Sequence, residues 1–134
     1  MNKDTVLIQL VRFLSEYSYS NLIIEELLGL ISKSGNEKRF FTLLISRLRI
    51  LGTMGIDAVN LTEFENIGKG IYSMHLAAKG FNIRILYGFL PNRKPVLLLA
   101  FYERAGKKKT DYSPHLETAQ RRLEQEEARY NNEH

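Results

Sequence analysis

The apolar positions of this chain follow a helical period in its first half and a strand period in its second. From Thr5 to Phe13 aliphatic residues are interrupted only by Gln9 and Arg12, a run that fits a strand or a short helix, and we assign it as a first strand. Ile23, Leu27, Leu30 and Ile31 then recur at helical spacing behind Asn21, a good N-cap, with Glu25 and Glu26 near the positive end of the helix dipole. Ser34-Gly35-Asn36 breaks this helix. A second apolar set follows at Phe40, Leu44, Ile45, Leu48 and Leu51, with Lys38, Arg39, Arg47 and Arg49 around its sides. The pair predicts an antiparallel helix hairpin that ends at Gly52 and Gly55, and Asn60 to Gly70 reads as a polar connection.

Beyond Gly70 the pattern shortens to strand-like runs, Ile71 to Ala77, Phe81 to Leu90 and Pro95 to Glu103, separated by Ala78-Lys79-Gly80 and by Pro91-Asn92-Arg93-Lys94. Loops this short predict consecutive antiparallel hairpins. In the middle run Ile83, Ile85, Tyr87 and Phe89 share one face, which puts Arg84 on the other. Val96 to Phe101 is apolar at every position, as expected of a central strand covered on both sides. After a basic loop, Ser113 and Pro114 open a last helix whose narrow apolar stripe is Leu116, Ala119 and Leu123, and residues 120–134 read as a fraying, charged helical tail. The expected architecture is α+β: a helix hairpin packed on a small antiparallel sheet, with a C-terminal helix.

Composition narrows the picture. At 134 residues with 44% apolar content the chain suffices for one domain, 1–134, with one core. The absence of cysteine excludes disulfides, zinc–thiolate sites and thiol nucleophiles. Three scattered histidines predict no metal site. A net charge of +4 fits an anionic partner without requiring one. The polar start Met1-Asn2-Lys3-Asp4 and the interrupted run behind it predict neither a signal peptide nor a membrane span, hence a cytoplasmic protein.

The segment Ile71-Tyr72-Ser73-Met74-His75-Leu76, the segment Ile83-Arg84-Ile85-Leu86-Tyr87, the apolar run Leu97 to Phe101, the Lys-rich loop and Tyr112 together resemble the RelE/HigB/ParE toxin superfamily, most closely its phage-derived HigB-like branch. The resemblance covers residues 70 to 123, about half of the chain. It implies a metal-free, cofactor-free endoribonuclease that cuts messenger RNA, usually in the ribosomal decoding site, with the ribose 2′-hydroxyl as nucleophile. It also implies a cognate antitoxin, commonly a helix-turn-helix repressor.

Such chemistry needs an acceptor for the 2′-proton, positive charge for the phosphorane and a proton for the 5′-oxygen. Carried over from the family, Arg84 matches its strand arginine and Arg104 the second of its paired lysines, while Lys107, Lys108 and Tyr112 stand where it has further basic and aromatic groups. Two positions depart from the pattern: His75 replaces an arginine, and Glu103 replaces the first lysine. Either can exchange protons, and a neighbouring arginine would depress the histidine pKa; both departures are equally compatible with a weakened activity. Lys109 extends the basic run, and Tyr102 and Tyr112 are candidates to stack on a base.

Plainer roles compete with these. Arg84 could pair with a carboxylate on the sheet, and the lysines could form only a solvated loop. Tyr72 and Tyr87 read as core, and His115 as exposed. Two other functions stay open: a ParE-like topoisomerase poison that binds without cleaving, and a non-toxic nucleic-acid adaptor.

Overall fold

The computed structural model describes residues 1–103 and 111–134. Its first element is a helix, α1 (Lys3–Leu14), where the sequence reading placed a strand. The Asn2 side chain accepts the Thr5 N–H at 2.8 Å and so caps it, and Val6, Leu10 and Leu14, one turn apart, are fully buried. Leu7, Ile8 and Val11 face outward and stay exposed. These outer apolar residues fill the gaps in the helical period and make the run look strand-like.

A two-residue strand, β1 (Ser18–Tyr19), leads to α2 (Ile23–Ile31) and α3 (Glu37–Met54). The start of α2 differs from the predicted Asn21 cap: Leu22 is the capping position, and no side chain bonds there. A 3₁₀ segment (Gly55–Asn60) ends the helical half. The supposed polar connection then contains a strand, β2 (Phe64–Gly68), followed by β3 (Ile71–Ala78), β4 (Phe81–Phe89) and β5 (Pro95–Tyr102). The last element is α4 (Ser113–Glu133). It is continuous through residues 120–133; Arg122 is buried and Tyr130 packs on the sheet side.

The fold is α+β, with the strands ordered β1-β5-β4-β3-β2; β1 runs parallel to β5 and the other neighbours are antiparallel. One sheet face, bearing Met74, Leu76, Ile83, Ile85, Tyr87 and Leu97, packs under α1, α2 and α3. The opposite face, bearing Ile71, Leu86, Val96, Leu98 and Leu99, packs under α4 through Leu116, Ala119 and Leu123. The all-apolar β5 is thus covered on both sides as its composition predicts. An irregularity there shifts the pairing from Leu86↔Leu99 to Tyr87↔Leu97, which sends both Leu98 and Leu99 to the α4 side.

Because β1 pairs with β5 only at Val96 and Leu97, the rest of that edge needs side-chain partners. Glu26 of α2 accepts the Ala100 N–H at 3.2 Å, and Arg122 of α4 donates to the Leu98 carbonyl at 2.9 Å and to Glu26 at 2.9 Å. One partly buried ion pair therefore closes the edge and ties together the layers above and below the sheet.

On the α4 side, Leu123 rests on bare backbone at Gly88. A Cβ there would lie 3.1 Å from both Leu123 methyls and 3.3 Å from the Gly70 carbonyl. Gly88→Ala is expected to lower stability by about 1–3 kcal/mol, the usual cost of overpacking, measured as a fall in the urea midpoint at unchanged slope.

Candidate functional site

The hairpin between β3 and β4 turns tightly at Lys79-Gly80, and this fixes a register in which His75 lies directly opposite Arg84. In the neighbouring pairs Glu65 of β2 faces Ser73, and Arg84 also faces Phe101 of β5. These side chains share the sheet face that α4 covers. The apolar stripe of α4 covers Ile71, Leu86 and Leu99; beyond it, toward the N-terminus of α4, the face turns polar. Tyr112, immediately before α4, reaches into this polar part.

There His75 Nε2 lies 3.1 Å from Glu65 Oε1 and 3.2 Å from the Tyr112 hydroxyl. That hydroxyl donates to Glu65 Oε1 at 2.5 Å and sits 2.9 Å from Ser73 Oγ. Arg47 of α3 donates from Nε to the His75 carbonyl at 2.9 Å and fixes the strand from behind. Arg84 donates from Nη1 to Asn82 at 2.5 Å; among the described residues its buried Nε has no hydrogen-bond partner and the side chain makes no ion pair. The sheet ion pair that a purely structural arginine would form is therefore absent among those residues. Phe101 stacks on His115 at 3.8 Å and meets Tyr112 edge-on at 6.1 Å, which makes an aromatic wall beside the arginine.

Burial, and after it the Arg84 charge, hold the His75 pKa below its ordinary 6.5, against the pull of Glu65. Burial and the Glu65 hydrogen bond push the Tyr112 phenol up to about 12. At neutral pH the group therefore contains a neutral imidazole, a phenol that keeps its proton and a fixed guanidinium. His115 is also lowered by burial, with the carboxylates of Glu103, Glu26 and Asp111 opposing.

The lowered His75 pKa ties stability to pH. The folded state disfavours the extra proton, whereas the unfolded chain accepts it near 6.5, so this contribution is fully present above that value. It is lost as pH falls through 6.5 toward the lower folded pKa, and His115 acts in the same sense. A proton NMR titration of the His75 ring is expected to give a midpoint below 6.5; a midpoint at or above it contradicts this environment.

The predicted site residues separate into four groups. His75, Arg84 and Tyr112 come together as described. Glu103 lies at the end of the same face, buried, its N–H donating to the Asn82 carbonyl at 2.8 Å. Tyr102 pairs with Ile83, on the sheet face away from Arg84, and is 48% exposed there; it does not join the cluster. Arg104, Lys107, Lys108 and Lys109 lie outside the described residues.

The sequence reading missed Glu65, Ser73, Asn82 and Arg47, and it took His115 as exposed where the ring is half-covered by Phe101. The one available signal for Glu65 was the alternation Phe64-Glu65-Asn66-Ile67 before Gly68-Lys69-Gly70, a short strand and turn. Among the described residues no three of His, Asp and Glu converge as metal ligands, and no helix is long and apolar enough to cross a membrane. No protein-family model matches this chain, and no curated protein sequence matches it.

Proposed function

We propose that this protein is an endoribonuclease of the RelE/HigB toxin kind, acting in the cytoplasm on messenger RNA at the ribosome and held silent by a helix-turn-helix antitoxin. The observation that carries the proposal is the pairing of His75 with Arg84 across β3 and β4, with Glu65 and Tyr112 within hydrogen-bond reach of the imidazole. These groups match the three needs of RNA transesterification. His75, neutral near pH 7, accepts the 2′-hydroxyl proton as the 2′-oxygen forms its bond to phosphorus. Arg84 stabilises the added charge on the phosphorane oxygens. The Tyr112 phenol, which retains its proton, supplies one to the 5′-oxygen as the phosphorus–oxygen bond breaks. The products are a 2′,3′-cyclic phosphate and a free 5′-hydroxyl. Glu65 orients both the imidazole and the phenol from one carboxylate oxygen.

The resemblance to the toxin superfamily supports the substrate and the antitoxin, and the cluster supports the bond-making chemistry. The test is induction in a bacterial host with mapping of messenger 5′ ends. Growth arrest with new ends inside coding regions, both lost in His75→Ala, is the expected result. Arrest with intact messages would move the protein to the topoisomerase poisons, and normal growth to the adaptors.

A further inference from the structure

At the end of the sheet away from His75 and Arg84, the two hairpin turns, the start of the 3₁₀ segment and α4 line a half-open cavity of about 680 Å³. Its walls are Tyr72, Phe89, Leu90 and Leu123, a size and character typical of small-molecule sites, which run roughly 300–1,000 Å³. Its shape is built in: Leu123 is seated on bare Gly88, and Gly70 keeps one wall free of side chain. Ile56, at the edge, is 58% exposed, an apolar surface left in water beside an apolar hollow.

The charged groups at this cavity are Lys69, Arg93 and Glu127. Lys69, in the β2–β3 turn, has φ 57°, and Arg93, in the β4–β5 turn, has φ 67°. Both backbones are left-handed, a conformation that glycine or asparagine adopts more easily, so turn geometry alone does not explain a long cationic side chain at either position. Each turn instead brings a cation to the same opening. Two positive charges against the single negative charge of Glu127 leave an excess of one positive charge at the mouth of an apolar site.

The geometry points to a binding site for an amphipathic monoanion, an alkyl or aryl carboxylate whose apolar body fills the cavity while its carboxylate lies between Lys69 and Arg93. Glu127 sets the preference for one negative charge over two. The site is separate from the nuclease cluster and stands whether or not that assignment holds.

Octanoate, with 1-octanol as its neutral counterpart, tests this by amide NMR titration of the full chain. Saturable shifts centred on Gly70, Leu90 and Leu123 are expected with octanoate. The affinity is expected to fall at least about tenfold for octanol and for the double variant Lys69→Glu, Arg93→Glu, an amount equal to roughly 1.4 kcal/mol. Leu123→Trp, which fills the cavity, is expected to abolish the shifts, and an unchanged dispersion of the remaining amides checks that this variant is folded. Shifts confined to other surfaces, or no saturable shifts, overturn the proposal. So does equal octanoate binding by the charge-reversed protein, because the cations would then have no part in recognition.

Discussion

If the protein is the nuclease proposed above, Arg84→Ala is expected to lower messenger RNA cleavage by about 10²–10³-fold, the usual loss when one preorganised stabiliser of a developing oxyanion is removed. The expectation rests on how the guanidinium is held. It projects from the centre of β4, between a strand that carries His75 and one that carries Phe101, and its only hydrogen bond among the described residues is to Asn82 on its own strand. Its Nε is buried with no hydrogen-bond partner among the described residues. A buried donor in that state costs stability, roughly 1–3 kcal/mol, and an incoming phosphate oxygen would satisfy it. Truncation to alanine therefore removes little that the folded protein uses and much that the phosphorane needs. The urea midpoint should be unchanged or slightly raised while cleavage collapses. Arg84→Lys keeps the charge and loses the fork of donors, so it should fall between wild type and alanine. A large loss of stability in Arg84→Ala would instead assign the arginine a structural role.

The largest effect on stability is expected at Phe40. Its ring is fully buried where α3 meets the sheet, 5.6 Å from the Phe41 ring and 6.1 Å from Phe81, both in edge-on geometry. Phe40→Ala removes the transfer contribution of the ring and leaves a void in the packed core, for a loss of about 3–5 kcal/mol. Against a total of about 5–15 kcal/mol for a domain, that is enough to leave much of the protein unfolded at 37 °C. Urea denaturation read by circular dichroism measures it; a loss under about 1 kcal/mol would mean that α3 is not packed as described.

The parts of the fold legible in the sequence are those with one dominant period and a tight turn. β3, β4 and β5 emerge with nearly correct bounds because alternation and short loops coincide, but the three-residue connection read at Ala78-Lys79-Gly80 is in fact a two-residue turn, Lys79-Gly80, and that turn sets every pair from Ala78↔Phe81 to Tyr72↔Tyr87. The juxtaposition of His75 with Arg84 follows from that turn. Tyr87, fully buried, and Tyr72, stacked on it at 5.4 Å, are core residues as their positions suggest.

What was not legible depends on contacts far apart in sequence or on elements too short to show a period. β1 has two residues, and β2 has five with a pairing irregularity between Asn66 and Gly68. Without β2, Glu65 has no face, and its bond to Tyr112, 47 positions away, cannot be foreseen. The helix α1 is apolar outside as well as inside, which masks its period. Charged α4 residues look solvated in sequence because nothing local reveals that Arg122 meets Glu26, 96 positions earlier.

The most direct test of the nuclease assignment is chemical. Purified protein is incubated with ribosomes programmed with a defined message, and the new ends are analysed. The account predicts a cut message with a 2′,3′-cyclic phosphate on one fragment and a 5′-hydroxyl on the other, and no cut where the nucleotide at the scissile position is 2′-deoxy. A message left intact, or cut equally well without the 2′-hydroxyl, would contradict it.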